Sequence, residues 1–341
     1  MFRAVDTNNI STLHSLNHTI KSIVYLRISV TDRCNLRCLY CSPYNNIPKL
    51  SHHDILTHEE IYKIVTLACS IGTRKVRITG GEPLIRKGLL GLINRLKGID
   101  HLKDLSMTTN GILLPKYVGN LVASGIKRIN ISLDSLKPKK FYQITGYDKL
   151  HNVLEGIKMA TDLGLHPIKI NMVVIKGIND DEVQDFARLT FDHPYQIRFI
   201  EYMPVGIQPQ KIHLSHLPNK IIKKRLDRIA KLNKLPEVGY AGPADCYKFE
   251  GSRGEIGFIS PRSHAFCSKC NRLRLTANGY LRPCLFSDAQ LDLKNPLRDG
   301  ASDEELLSIF KRAILDKPVK TQPFSNNNNK QNNWYMSSIG G

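Results

Sequence analysis

No apolar run in this chain approaches the roughly 20 residues that a membrane-spanning helix needs. The first twenty residues, MFRAVDTNNISTLHSLNHTI, lack a basic head followed by an apolar core, which argues against a secretory signal, and Arg3 alone is too little for an arginine-rich transit segment. Acidic residues are scarce, 30 against 49 Lys and Arg, for a formal net charge of +19. Aromatic residues make up only 7%, and neither an aromatic-rich RNA-binding signature nor a paired Cys/His finger spacing accompanies the basic excess. The basic residues are spread along the chain, so their charge fits solvated faces, nucleic acid, or a small phosphorylated ligand held by a few arginines. Charge alone does not decide. Apolar content is ample, at 41% of 341 residues, which excludes wholesale disorder and allows about two domains whose core needs no disulfides. These features predict a cytoplasmic protein.

Six of the eight cysteines fall into two groups, Cys34/Cys38/Cys41 and Cys267/Cys270/Cys284. In an intracellular chain such clusters point to metal ligation and not to disulfides. Cys69 sits on the apolar side of a predicted helix and reads as a buried thiol. Cys246 lies alone in a loop-like stretch.

Strand-type runs appear at Ile23–Val30, Lys75–Thr79, Asp104–Thr108, Lys127–Leu133, Ile168–Ile175 and Gln196–Tyr202. Helical patterns lie between them: one capped by Thr57 with Glu60 at capping-box spacing, then about 87–99, 115–124, 150–163 and 180–189. Gly125 and Gly164 are plausible C-terminal stops. The six alternations predict parallel strands with right-handed crossovers, and six units are too few for an eight-unit closed barrel. The fold expected is α/β: an incomplete (βα)6 TIM-like barrel with a C-terminal extension. The organisation expected is a polar arm at 1–22, the partial barrel at 23–204, a C-terminal domain at 205–325, and a tail at 326–341 ending in Gly-Gly. A further helix is predicted near Asp303–Ile314.

Cys34-x3-Cys38-x2-Cys41 follows the first strand, and three thiolates within eight residues can hold three corners of a cubane iron–sulfur cluster with one iron left open. Zinc prefers four protein ligands, and only His52 and His53 stand nearby. Gly80-Gly81-Glu82-Pro83 after the second strand would let backbone approach a ligand, with Glu82 an acceptor for an ammonium group. With Tyr40 before the last cysteine, these residues resemble the radical S-adenosylmethionine superfamily. That resemblance implies a cubane whose open iron chelates S-adenosylmethionine, which on reduction yields a 5′-deoxyadenosyl radical.

Cys267-x2-Cys270-x13-Cys284 again supplies three thiolates, with His264 a rival fourth ligand for zinc. Between them Arg272 and Arg274 would share one face of an extended segment, and arginine forks suit phosphate or carboxylate. The run Cys270-Asn271-Arg272-x-Arg274-x-Thr276, with Leu26–Cys34, Val76–Thr79, Thr108–Gly111, Asn130–Asp134, Arg198–Pro204 and the closing Gly340-Gly341, is similar to the molybdenum cofactor biosynthesis protein A family of GTP 3′,8-cyclases. The similarity extends from about Tyr25 to the C-terminus.

This resemblance implies two 4Fe-4S clusters, held by Cys34, Cys38 and Cys41 and by Cys267, Cys270 and Cys284. Tyr40, Gly81, Ser132 and Met203 are then expected to contact S-adenosylmethionine, and Arg27, Arg77, Thr108, Lys169, Arg272 and Arg274 to bind GTP, with Lys75 and Arg198 as further basic candidates. Arg272, Arg274, Gly340 and Gly341 are the expected catalytic group. The implied reaction removes the C3′ hydrogen of GTP and joins C3′ to C8, and one-electron reduction then yields 3′,8-cyclo-7,8-dihydro-GTP, the first step of molybdenum cofactor biosynthesis. Implied partners are a flavodoxin- or ferredoxin-type electron donor and the downstream cyclic pyranopterin monophosphate synthase. A homodimer is left open. Two rival readings fit less well: a peptide-modifying radical enzyme, disfavoured by Arg272, Arg274 and Gly-Gly, and a zinc-containing nucleic-acid-binding protein, for which GGEP would have no purpose.

Overall fold

A computed structural model describes residues 23–41, 48–206, 214–236, 242–264, 267, 270–318, 334 and 336–340. The N-terminal arm, most of the asparagine-rich tail and Gly341 lie outside the described residues. Six strands pair in chain order, all parallel: β1 (Tyr25–Ser29), β2 (Lys75–Thr79), β3 (Asp104–Thr109), β4 (Arg128–Ser132), β5 (Ile168–Lys176) and β6 (Gln196–Glu201). Helices α1 (His58–Ser70), α2 (Leu89–Lys97), α3 (Leu114–Ala123), α4 (Pro138–Thr145), α5 (Leu150–Asp162) and α6 (Val183–Asp192) form the crossovers.

Parallel strands covered by helices on both faces usually read as continuous apolar runs. Here the residues alternate. Leu26, Ile28, Val76, Ile78, Ile129 and Ile131 are fully buried in one core with Ile61, Ile64, Leu92 and Val118 of the helices. Each such side chain stabilises the fold by roughly 1.5–3 kcal/mol. The intervening positions are polar: Arg27 and Ser29, Lys75 and Arg77, Ser106 and Thr108, Arg128 and Asn130, Lys169 and Asn171, Gln196 and Arg198. A period of two places all of these on the opposite, concave face. One face of this sheet therefore builds the core and the other builds a polar lumen.

The rest of the chain extends both edges of the same sheet. After β7 (Ser215–His216), α7 (Asn219–Leu226), β8 (Leu232–Lys234) and β9 (Asp245–Phe249), strand β10 (Glu255–Ile259) pairs with β6 in parallel. β11 (Arg272–Leu275) then pairs with β1, also in parallel, at the far edge. Antiparallel β12 (Tyr280–Arg282) and β13 (Leu291–Asp292) continue outward from β11, and β9 and β8 continue outward from β10. The result is a mixed 13-stranded sheet of order β13-β12-β11-β1-β2-β3-β4-β5-β6-β10-β9-β8, with β7 on β5, so the barrel stays open. Helices α8 (Lys294–Arg298), α9 (Asp303–Leu315) and α10 (Met336–Ile339) follow.

Local chemistry explains most boundaries. The Thr57 hydroxyl accepts from the Glu60 amide at 3.1 Å and the Glu60 carboxylate accepts from the Thr57 amide at 2.7 Å, completing the expected capping box of α1. Gly125 and Gly164 follow α3 and α5 at φ +88° and +75°, a conformation that favours glycine. Helix α6 starts at Val183, later than expected, because the Asp180 carboxylate accepts from the Gly177 amide at 2.6 Å and holds that stretch as a turn. Helix α4 has only eight residues and was not apparent in the sequence. Cys246 was expected in a loop but lies in β9, paired with Gly257 of β10. Cys69 is buried on α1, as expected. No helix among the described residues is long and apolar enough to cross a membrane.

Candidate active site

The first cysteine loop sits at the C-terminal end of β1, the end where barrels of this kind carry their chemistry. Its backbone is tied to the end of α4: Arg37 N donates to Thr145 O and Leu39 N to Ile144 O. Leu36 N donates to the Cys34 sulfur at 3.4 Å, and Asn110 Nδ2 lies 3.8 Å from the same sulfur and 2.7 Å from Asn35 Oδ1. Burial raises the Cys38 thiol well above its ordinary value, and Asp134, Cys41 and Cys34 add to the effect, which places the three sulfurs in one electrostatic neighbourhood. Among the described residues no three His, Cys, Asp or Glu groups converge on a single metal ion. Thiolates that each hold a separate iron of a cubane need no such convergence.

Tyr40, Gly81, Ser132 and Met203 all lie at or beyond the C-terminal ends of strands β1, β2, β4 and β6. The Tyr40 hydroxyl donates to Asp134 Oδ2 at 2.6 Å, and Asp134 Oδ1 accepts from Val173 N at 2.8 Å. Burial pushes the Asp134 carboxyl up to about 6 against these two bonds. Gly81 packs directly on the carbonyl of Arg33, where a Cβ would collide with backbone, so glycine is required for the β2 loop to reach the cysteine loop. Glu82 does not present a free carboxylate. It is fully buried and accepts from Leu84 N (3.0 Å), Thr109 Oγ1 (2.7 Å) and Asn110 N (2.7 Å), bracing the β2 and β3 loops.

Deeper in the lumen, strand register brings the cations together. Arg27 stands opposite Arg77 on one side and Arg274 on the other, and Tyr25 opposite Lys75 and Arg272. Lys169 and Arg198 come from β5 and β6, yet both are influenced by Arg77 of β2, so the groups meet across the concavity. Burial lowers Arg198 to about 10, with Arg77 adding to the effect. Burial lowers Lys169 to about 7, with Arg198, Arg128 and Arg77 contributing. Four buried polar atoms here, Arg27 Nε, Thr108 Oγ1, Asn171 Oδ1 and Arg198 Nε, have no hydrogen-bond partner. Unpaired buried polar atoms cost about 1–3 kcal/mol each. A polyanionic ligand entering the lumen would accept from Arg27 Nε, Thr108 Oγ1 and Arg198 Nε and offset the surplus positive charge.

The second cysteine group flanks the β11–β12 ribbon. Cys270 precedes β11 and Cys284 follows β12, while Cys270 N donates to Cys267 O at 3.2 Å. Burial tends to raise the Cys270 thiol, but Arg272 and Lys317 outweigh it and the thiol is lowered. Burial lowers Arg274 to about 10, with Arg272 adding to the effect. Arg274 also reaches the tail: its guanidinium donates to Gly340 O at 2.6 Å. Gly340 has φ +74°, and a Cβ there would lie 2.6 Å from Thr79 Cγ2. The chain end is thereby seated against β1, β2 and β11. Gly341 lies outside the described residues.

Four further residues share these sites. Tyr25 lies among four arginines: burial raises its hydroxyl pKa, but Arg77, Arg27, Arg272 and Arg274 together bring it below its ordinary value. The Arg77 and Arg272 guanidinium carbons lie 5.6 and 6.0 Å from its ring centre. Asn110 and Asp134 belong to the Thr108–Gly111 and Asn130–Asp134 segments, which is the signal that could have marked them. Lys317 carried no sequence signal at all.

Comparison with known proteins gives a consistent picture. Residues 28–190 match the Radical SAM superfamily and residues 195–323 match Molybdenum Cofactor Synthesis C. The chain is 45% identical over 325 residues to the GTP 3',8-cyclase of Moorella thermoacetica, covering 94% of this chain and 98% of that one. It is 49% identical over 299 residues to the GTP 3',8-cyclase of Thermodesulfovibrio yellowstonii, covering 87% and 92%. Among solved structures, Streptococcus suis SuiB bound to S-adenosylmethionine is similar with a TM-score of 0.61 at 17% identity, over 91% of this chain and 72% of that one. At that identity the likeness speaks for the fold alone.

Proposed function

The chain belongs to the GTP 3',8-cyclase family, and from that premise we propose how its own residues hold the reactants. It is a radical S-adenosylmethionine enzyme of molybdenum cofactor biosynthesis. The observation that carries the finer reading is the meeting of Arg27, Arg77, Lys169, Arg198 and Arg274 in one buried lumen, between two cysteine trios.

Cys34, Cys38 and Cys41 hold one 4Fe-4S cluster, and Tyr40, Gly81, Ser132 and Met203 line S-adenosylmethionine. Cys267, Cys270 and Cys284 hold the second. When bound, S-adenosylmethionine beside a reduced cluster would supply the carbon radical that removes the C3′ hydrogen of GTP; C3′ then bonds to C8, and one further electron with a proton at N7 gives 3′,8-cyclo-7,8-dihydro-GTP. The protein's share is position and charge. Arg27, Arg77, Lys169 and Arg198 take the triphosphate, Thr108 Oγ1 is a free buried donor beside them, and Lys75 adds to the field. Arg272 and Arg274 stand between the triphosphate and the second cluster, and Arg274 holds the tail carbonyl of Gly340 over the site. This closure keeps water from the reacting carbon.

A donor of flavodoxin or ferredoxin type supplies the two electrons that the reaction consumes, and the product passes to the cyclic pyranopterin monophosphate synthase. Six clustered free cysteines suit a reducing compartment, hence the cytoplasm. Anaerobically purified protein is expected to carry about eight irons per chain and to bind GTP. Cys284→Ser is expected to lose turnover while keeping about four irons; wild-type turnover in that variant would remove the second cluster from the reaction.

A further inference from the structure

Lys317 follows α9 and is buried, 7% exposed. Its ammonium donates to the Arg272 carbonyl at 2.6 Å and to the Pro283 carbonyl at 2.7 Å. Arg272 is two residues beyond Cys270, and Pro283 immediately precedes Cys284. An ammonium group has three donors; the two carbonyls take two of them, and the Cys270 thiol lies in the electrostatic neighbourhood of the ammonium. Among the described residues no carboxylate pairs with it; the groups that favour its charge are Cys270 and Cys284, and Arg272 opposes it. A buried ammonium without an anion is costly. This arrangement therefore makes sense when the neighbouring sulfurs are anionic, as metal-bound thiolates are.

We infer that Lys317 is a positioning residue for the second cluster: it clamps the two segments that carry Cys270 and Cys284 and sets a positive charge against the cluster's thiolates. The inference rests on the reading that Cys267, Cys270 and Cys284 hold an iron–sulfur cluster. Such a cluster gains negative charge on reduction, so a buried cation held beside its sulfurs favours the reduced form and raises the potential.

The experiment is anaerobic reconstitution of full-length wild type, Lys317→Arg, Lys317→Gln and Lys317→Met, with iron counts and potentiometric titration followed by electron paramagnetic resonance. Lys317→Arg is expected to behave as wild type. Lys317→Gln keeps donors but no charge, and its second cluster should become at least tenfold harder to reduce, a shift of about 59 mV to more negative potential for one electron. Lys317→Met should show the same shift or lose the second cluster's irons alone. An unchanged potential and full iron content in both neutral variants overturns the inference. Global unfolding of both also overturns it, because the residue would then serve the fold and not the cluster. Wild type with only about four irons fails the underlying reading itself, and the inference falls with it.

Discussion

Lys169 is the residue whose environment makes the sharpest solution prediction. Burial and the neighbouring Arg198, Arg128 and Arg77 depress it to about 7, against an ordinary 10.5. The folded chain therefore releases this proton between about pH 7 and 10.5 while the unfolded chain keeps it, so the burden of burying the ammonium is full below pH 7 and fades as pH rises. A bound triphosphate reverses the balance by favouring the charged form. GTP binding near pH 8 should thus take up a proton, and affinity should fall as pH climbs from 7 toward 10. Calorimetry in two buffers of different ionisation enthalpy reads the uptake directly, and Lys169→Met should abolish it. Equal heats in both buffers for wild type would show that Lys169 is not the titrating contact. Glu82 teaches the opposite lesson at the same scale. A glutamate in a Gly-Gly-Glu-Pro loop reads as a ligand acceptor, yet three donors from its own fold occupy it.

Among the elements, the short helix α10 and the glycine after it depend on contacts far away in sequence. Trp334, the chain's single tryptophan, lies with its ring centre 4.6 Å from the Arg282 guanidinium carbon and donates to Asp288 Oδ1 at 3.3 Å. Arg282 is 1% exposed and donates to Ser287 O at 2.6 Å, so the loop around Cys284 holds the tail. The tryptophan is a built-in reporter of docking. Arg282→Met should shift its emission to the red as the ring loses its cation and meets water, and unchanged emission would count against the docked tail. Gly340→Ala forces a Cβ into the left-handed region and against Thr79. That strain, about 1–2 kcal/mol, should lower the docked fraction and turnover by roughly tenfold, while iron content stays at the wild-type level.

At the scale of the molecule, the sheet argues that the two sequence halves stand or fall together. β10 covers the β6 edge and β11 covers the β1 edge, both by parallel pairing. A chain ending at residue 204 would expose both edges as open templates for association. It is expected to aggregate on expression, whereas the whole chain should melt in one calorimetric transition. A soluble, folded fragment of that length would refute the shared-sheet view of stability. The net charge of +19 finds a partial account here, because several of its cations are spent inside the lumen.

The six strands, the order of their helices and the two cysteine trios were legible in the chain because their signals are local: period-two alternation, a capping box at Thr57 and Glu60, glycines at helix ends, and thiols a few residues apart. Of the inward basic residues, only Arg272 and Arg274 were legible from their spacing on one face of a strand; Arg27, Arg77, Lys169 and Arg198 were expected only from the family resemblance. Register was not legible. That Arg27 stands between Arg77 and Arg274 follows from β1 pairing with both β2 and β11, and residues 27 and 274 carry no local mark of one another. Lys317 was invisible for the same reason: a lysine after a helix looks like any solvated cation until the fold buries it between two carbonyls and a thiol. The sequence by itself determined which elements form and which chemistry they carry, because those rest on neighbours in the chain. Only the tertiary structure decided which charges meet and which are covered, because desolvation and pairing depend on distance in space.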